Sequence, residues 1–171
     1  VDRFRIQLDM LKTGLNLVGG AIVERDMAGK QLAVKRCPPD HEKILHYSKR
    51  RNPFNHMTVA FDYEAAMAVG GYPDVYLKED WALWVLMLES GVICGNSNEI
   101  LVDASADINM YRRRGGIKTI LSEYVMQKFL IRHLEKSRFN ALCDFILKAI
   151  ILAAPASVRG LFYQKYLRNS K

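Results

Sequence analysis

The chain has 171 residues, half of them hydrophobic and a quarter charged, which is the composition of a globular protein long enough to bury a core. Its net charge of +7 is uneven: residues 1–111 carry 12 basic against 15 acidic side chains, and residues 112–171 carry 13 against 3. Because the basic excess lies on amphipathic stretches without a nucleic-acid motif, the charge argues against a nucleic-acid partner.

The first part of the chain predicts short strands that alternate with helices. Apolar spacing predicts a helix over Arg3–Lys12, and strands are predicted over Leu15–Arg25 and Gln31–Arg36. The Gly19-Gly20 pair within the first strand indicates a bulge or a close approach of two backbones. The further predicted elements are a helix ending near Lys49, a strand over Met57–Phe61, helices over Tyr63–Val69 and Trp81–Leu88, and strands over Val92–Cys94 and Ile100–Asp103. His56 is expected to lie on the strand that precedes the turn Gly70–Tyr72.

The chain after residue 116 is predicted to be almost entirely helical, with helices over 117–136 and 139–154 and a last amphipathic stretch over 157–168. On the second helix, Asn140, Asp144 and Lys148 form a narrow polar stripe. The apolar run 149–154 is far shorter than the ~20 residues that a membrane-spanning helix needs. Basic amphipathic helices suit an anionic membrane surface, and they equally suit packing on the protein body or on a second subunit.

The cysteines and the start of the chain bear on the compartment. Cys37, Cys94 and Cys143 are far apart and show no metal-ligand spacing, so neither a disulfide framework nor a zinc site is predicted. No secretory or transit peptide is recognisable. We therefore expect a cytoplasmic protein with reduced thiols, with peripheral contact to the inner face of the plasma membrane as a further expectation.

The acidic pair Glu79-Asp80, at the start of an apolar helix, is the strongest candidate for a catalytic group in the sequence. The helix dipole and free backbone N–H groups keep a carboxylate in the first turn ionised, and such a carboxylate can take the proton of a sugar hydroxyl. Trp81 and Trp84 lie three residues apart, so they share one side of the helix, and their ring faces suit sugar rings. A simpler interpretation stays open, in which the acidic residues cap the helix and the tryptophans are core residues.

The order of these parts resembles that of family-2 inverting glycosyltransferases, which have the GT-A fold. The resemblance rests on the turn Gly70–Tyr72, the acidic pair followed by Trp81–Trp84, and the segment Asn52–Thr58, and it covers about residues 3–116. Bacterial enzymes of surface-polysaccharide biosynthesis are the most similar. The implied fold is α/β: a partial GT-A-type fold with a short mixed sheet and flanking helices over 1–116, followed by a basic amphipathic helical tail over 117–171.

The resemblance also implies roles for individual residues. Asp80 would be the catalytic base for the acceptor hydroxyl, and Glu79 would hold the acceptor or orient Asp80. His56 has no partner at metal-ligand spacing, so it is expected to line the acceptor pocket as a hydrogen-bonding residue and not to bind a metal. The remaining residues expected to contact the acceptor are Trp81, Gly70 and Gly71.

Arg112 and Arg113 are a candidate diphosphate site, because guanidinium groups match phosphate oxygens bidentately. In the resembling enzymes a basic or histidine-containing segment after the acidic pair approaches the nucleotide diphosphate. The alternative is a solvated basic entry to the following helix or a membrane-facing patch. Ser105 departs from the pattern, since the resembling enzymes tend to carry a basic residue near that point.

The donor side of such an enzyme is missing from this sequence. The resembling enzymes bind the nucleotide-sugar with a Rossmann-like half that ends in an Asp-x-Asp metal motif, and no Asp-x-Asp occurs here. We therefore expect the ligands of a divalent metal, Mg or Mn, to lie mostly upstream of Val1, and we predict no metal site within the chain. Val1 is then expected to mark a cut in a longer protein or an artificial boundary, and the chain alone is expected to be inactive.

Two functions follow from these observations. The leading hypothesis is inverting transfer of a sugar from a nucleotide-sugar donor to a saccharide or lipid-linked acceptor, with Asp80 as the base. The alternative is a non-catalytic membrane- or partner-binding module that acts through its basic helical tail.

Overall fold

The computed structural model describes residues 2–105 and 115–155, and in these ranges it contains four strands and six α-helices. A short 3-10 helix, His56–Thr58, precedes the third strand. The elements are α1 (Arg3–Lys12), β1 (Leu17–Arg25), β2 (Gln31–Lys35), α2 (His41–Ser48), β3 (Ala60–Phe61), α3 (Tyr63–Ala68), α4 (Glu79–Glu89), β4 (Cys94–Ser105), α5 (Ile117–His133) and α6 (Arg138–Ala153). The predicted α/β class is confirmed, and the arrangement is consistent with part of a GT-A-like fold.

Strand β1 is the centre of a mixed sheet. It pairs in antiparallel fashion with β2 and β3 and in parallel with β4. A Cβ atom on Gly20 would lie 2.5 Å from Leu101 Cδ1 of β4, and the β1–β4 register shifts between Gly19 and Ala21. The register shift fits the predicted bulge, whereas the close approach at Gly20 comes from the Leu101 side chain and not from a second backbone.

Two strand predictions are wrong. β4 is one strand of 12 residues where two short strands were predicted. The residues between them are polar, but the amide of Asn96 donates to the backbone oxygens of Pro38 and Pro53, which holds this part of the strand in place. His56 lies in the 3-10 helix and not on a strand, because the Thr58 amide turns back to the Asn55 carbonyl at 2.7 Å.

Helix α4 forms the centre of the hydrophobic core. Its residues Trp81–Val85 are all buried, and they share one core with Leu17 of β1 and with Met126 and Leu130 of α5. A helix enclosed on all sides is apolar all round, which explains why α4 lacks a polar face. The packing places α4, with the acidic pair at its start, between the sheet and α5.

The two C-terminal helices pack on this body through α5. Leu134, which follows α5, belongs to the core around α4, and Tyr124 of α5 contacts Phe145 of α6 with ring centroids 5.8 Å apart. The described part of the tail, 117–155, therefore packs on the protein body through one face, and membrane contact stays a prediction for its exposed face. The division of the chain at residue 116 stays a prediction. None of the described helices is both long and apolar enough to cross a membrane.

Candidate functional site

Asp80 lies in the first turn of α4, and both of its carboxylate oxygens are engaged. Oδ1 accepts from the Trp81 amide at 2.7 Å, and Oδ2 accepts from the side-chain amide of Asn52 at 2.7 Å. The side chain is 16% exposed, so solvent still reaches it. Because Asn52 donates, the carboxylate is held in one orientation and keeps lone pairs for a further proton or hydrogen bond.

His56 and Tyr72 extend this cluster toward solvent. The His56 Nδ1 atom lies 3.7 Å from Asp80 Oδ2, and its Nε2 atom lies 3.3 Å from the Tyr72 hydroxyl. Burial and the nearby Asp80 and Glu79 carboxylates raise the pKa of the Tyr72 hydroxyl, so it remains a neutral hydrogen-bonding group at neutral pH. The structure thus brings together Asp80, Asn52, His56 and Tyr72, while Glu79 is exposed beside them.

The segment that carries Asn52 and His56 is held against β1. The Asn55 amide donates to the Gly20 carbonyl at 2.9 Å, and the Thr58 hydroxyl accepts from the Gly20 amide at 3.0 Å. Asn55 and Thr58 are both buried. Fixed at both points, the short segment between them presents His56 at the surface, where its side chain is 51% exposed.

Gly70 and Gly71 place Tyr72 by ending α3. The Gly71 amide donates to Ala66 O and the Gly70 amide to Met67 O, which is the Schellman hydrogen-bond pattern. Both glycines have positive φ, 90° and 71°, a conformation that strains other residues. In the structure they act on the site through this turn, and their predicted contact with an acceptor stays a prediction.

The tryptophans are core residues in this structure. Trp81 is 5% exposed and its indole N–H donates to the Ser48 carbonyl at 3.0 Å, while Trp84 is 0% exposed. The Trp84 ring packs edge-on against His56 and Tyr72, with centroids 6.0 and 6.4 Å away. Because both rings are buried, the expectation that their faces are free to stack on a sugar ring does not fit the structure. Trp84 instead packs against the inner side of His56 and Tyr72.

A buried ionic cluster connects the C-terminal helices α5 and α6 to Lys78, the N-cap residue of α4. Glu123 of α5 is 2% exposed and accepts from Lys78 at 2.9 Å and from Lys148 of α6 at 2.8 Å. Gln127 donates to the same carboxylate at 2.6 Å. Burial disfavours ionisation of Glu123, but the two lysines outweigh it and lower its pKa, so the carboxylate is charged at neutral pH.

A second part of the cluster lies around Asp144 of α6. Its carboxylate accepts from Lys136 at 2.7 Å and from Arg50 at 3.1 Å. These hydrogen bonds outweigh the effect of burial and lower the pKa of Asp144. The polar stripe seen in the sequence thus turns Asp144 and Lys148 into the protein. A separate groove of about 460 Å³ borders this cluster, and none of the Asp80 neighbours lines it.

The remaining predicted sites lie elsewhere. Arg112 and Arg113 fall outside the described residues. Within residues 2–105 and 115–155, no group of three His, Cys, Asp or Glu side chains could hold a metal ion. All three cysteines are free, and burial raises the pKa of the Cys94 thiol to about 12, which keeps it protonated.

Sequence reasoning missed Asn52 and Tyr72 as site residues. Both belong to segments on which the family resemblance rests, Asn52–Thr58 and Gly70–Tyr72. A polar residue at the first position of one segment and a hydroxyl at the last position of the other were the available signals. What the sequence lacked was the long-range packing that brings both residues to Asp80.

The curated proteins similar to this chain are bacterial glycosyltransferases. It is 35% identical, over 98% of its own length, to a UDP-Gal:alpha-D-GlcNAc-diphosphoundecaprenol beta-1,3-galactosyltransferase of Escherichia coli. It is 31% identical over 98% of its length to an uncharacterized glycosyltransferase of Haemophilus influenzae. It is 26% identical over 96% of its length to the amylovoran biosynthesis glycosyltransferase AmsE of Erwinia amylovora.

These matches cover part of each relative, 62%, 63% and 62% of their lengths in the same order. No protein-family model and no solved structure matches the chain. Homologues over nearly the whole chain are therefore glycosyltransferases, and the chain spans about three fifths of their length.

Proposed function

From this homology to glycosyltransferases, we propose that the full-length protein is a family-2 enzyme of GT-A fold. It transfers a sugar, with inversion, from a nucleotide-sugar to a hydroxyl of a saccharide or lipid-linked acceptor. The observation that carries the proposal is the Asp80 carboxylate, which is oriented by Asn52 and reached by solvent in a chain whose homologues transfer sugars. The acceptor class follows the name of the E. coli relative, which acts on a diphosphoundecaprenol-linked sugar.

In the proposed reaction Asp80 is the general base. The acceptor oxygen attacks the anomeric carbon of the donor, and the bond from that carbon to the nucleoside diphosphate breaks as the new glycosidic bond forms. The electron pair of the broken bond leaves with the diphosphate, and the hydroxyl proton passes to the Asp80 carboxylate. Asp80 lies in the first turn of α4, where the Asn52 amide fixes the orientation of the carboxylate oxygen that would take the proton.

The neighbouring side chains suit an acceptor pocket. Glu79 is exposed one residue before Asp80, and His56 and Tyr72 present an imidazole and a neutral hydroxyl that can bond sugar hydroxyls. Arg112 and Arg113 remain the proposed diphosphate contacts. The described residues contain no cluster of side chains that fits a divalent metal. The reaction is therefore written without a step that involves the metal expected in such an enzyme.

The stereochemistry of the product tests the reaction. The full-length protein is incubated with a panel of nucleotide-sugars and a sugar-diphospholipid acceptor, and the product's anomeric configuration is read by NMR. We expect the configuration opposite to that of the donor. A product with the donor's configuration would reject single displacement with Asp80 as base, and a lack of transfer with every donor would favour the non-catalytic alternative.

We also propose that the outer face of α6 rests on an anionic membrane. Four apolar side chains at helical spacing are exposed there: Phe139 73%, Leu142 56%, Ile146 49% and Ile150 65%. Because α6 turns its charged stripe inward, its outward face is apolar, the reverse of an ordinary surface helix. Insertion at a lipid interface would cover this face, and the excess of basic residues in 112–171 would favour anionic headgroups.

Vesicle flotation tests the membrane contact. The full-length protein is floated with phosphatidylcholine vesicles that contain phosphatidylglycerol, and Phe139→Glu combined with Ile150→Glu is expected to abolish co-flotation. Met27→Glu, at an exposed residue in the β1–β2 turn, is the matched control and should float as the wild type does. Equal flotation of all three proteins would reject α6 as the contact.

A further inference from the structure

The turn that precedes the acidic pair is strained. Leu77 has a φ of 56°, in a region that residues with a side chain rarely adopt, and Lys78 immediately after it is the N-cap of α4. Lys78 makes no capping hydrogen bond with its side chain. Strained backbone persists only where surrounding contacts hold it, and it is frequent at functional sites. One backbone hydrogen bond closes this turn, from the Lys78 amide to the Val75 carbonyl at 2.8 Å, and further contacts come from outside it.

Helix α5 supplies contacts to this turn. The Ser122 hydroxyl donates to the Tyr76 carbonyl, and Glu123 Oε2 lies 2.9 Å from Lys78 Nζ. The Lys118 ammonium lies 4.0 Å from the centre of the Tyr76 ring. Successive turns of α5 thus hold residues 76 and 78 on either side of the strained Leu77.

The other Glu123 oxygen reaches the segment that carries Asn52. Oε1 accepts from Lys148 Nζ at 2.8 Å, and the same ammonium donates to the Arg50 carbonyl at 3.0 Å. Arg50 precedes Asn52 by two residues, as Lys78 precedes Asp80 by two. One buried carboxylate therefore connects, through two lysines, the two segments whose side chains meet in the Asn52–Asp80 hydrogen bond.

We infer that Glu123 is a positioning residue, which through Lys78 and Lys148 sets the relative placement of Asp80 and Asn52. This inference rests on the proposed role of Asp80 as the base. By this inference α5 and α6 contribute to catalysis indirectly, by positioning Asp80 and Asn52, and not by contact with a substrate. A shift of about 1 Å in a catalytic group can cost about a hundredfold in rate, so a change at Glu123 should be visible in turnover.

The test is a double-mutant cycle in the full-length protein, with kcat and the KM of both substrates measured for Glu123→Gln, Lys78→Gln and the double variant. We expect each single change to lower kcat by about tenfold or more with the donor KM within about twofold, and the double variant to be no slower than the worse single variant. Glu64→Gln, at an exposed glutamate on α3, is the matched control and should keep wild-type kcat.

Several results would overturn the inference. Wild-type kcat in a folded Glu123→Gln protein would do so, and so would losses in kcat that multiply in the double variant. If Glu123→Gln does not fold, Ser122→Ala is used instead, because it removes only the hydrogen bond from α5 to the Tyr76 carbonyl. Unchanged kcat in Ser122→Ala would show that the contacts of α5 with this turn do not position Asp80. Activity of Asp80→Asn separates the two proposals: if it is lost while Glu123→Gln keeps full turnover, only the positioning role fails.

Discussion

At the scale of single residues, the site depends on how Asp80 is held. Its position in the first turn of α4 is a local property, and the sequence predicts it from the acidic pair ahead of an apolar run. Its orientation is a long-range property, because the Asn52 amide that bonds it lies 28 residues earlier in the chain. Family resemblance therefore leads to the carboxylate, and only the packed structure identifies the amide that orients it.

Asn52→Ala should lower turnover while the fold is retained. A hydrogen bond to a charged group contributes about 1.5–3 kcal/mol, so losing it should reduce kcat by about tenfold to a hundredfold. The measurement is kcat of the full-length protein, with the circular dichroism spectrum as a check on folding. Asn98→Ala, at an exposed position on β4, should have wild-type kcat. Equal activity of the two variants would contradict the orienting role of Asn52.

At the scale of elements, helix bounds were predictable where local signals mark them. α1 spans the predicted residues, and α3 ends one residue early, before a glycine pair that closes it by a local hydrogen-bond pattern. The continuity of β4 was not predictable, because the side chain of Asn96 is held by residues of a distant segment. The burial of Glu123 was also hidden, since its lysine partners lie 45 residues before it and 25 residues after it.

Helix α5 should be held to the body by its apolar contacts with α4. Leu130 is 0% exposed in the shared core, so Leu130→Ala should lower the free energy of unfolding by about 2–5 kcal/mol. Leu121→Ala, on the same helix but 58% exposed, should change it by about 0.5 kcal/mol or less. Urea unfolding followed by circular dichroism measures both. Similar losses in the two variants would mean that α5 does not depend on this core.

The ionic cluster should make stability depend on acid. The folded pKa values of Glu123 and Asp144 are lowered, so the stability they contribute is complete above their ordinary values near pH 4 and is lost as the pH falls through the folded values. Thermal melts from about pH 7 to pH 3 should show a steep drop in Tm below about pH 4. The drop should be shallower in Glu123→Gln, which has one titrating group fewer, and unchanged in Glu64→Gln. Equal slopes in all three would show that Glu123 does not contribute.

At the scale of the whole molecule, the sheet, α4 and the C-terminal helices together determine the position of the site. The sheet holds the segment Asn52–Thr58 through Gly20, and α4 brings the acidic pair to it. Helices α5 and α6 pack on the side of α4 that faces away from the sheet, through the hydrophobic core and through the ionic cluster. The α/β class was predictable because alternating short strands and helices favour it. That the C-terminal helices pack on the body was left open, because apolar faces on basic helices suit protein and membrane partners equally.

The most direct test of the whole account is the turnover of Asp80→Asn in the full-length protein. Asparagine keeps the shape of the side chain but cannot take the acceptor proton, so we expect transfer to fall by about a thousandfold or more. Donor affinity, measured by calorimetry, should stay within about twofold, since Asp80 is proposed to act on the acceptor. Asp62→Asn, a change at the exposed N-cap of α3, is the control and should keep full activity. Unchanged turnover in Asp80→Asn would contradict the proposed function.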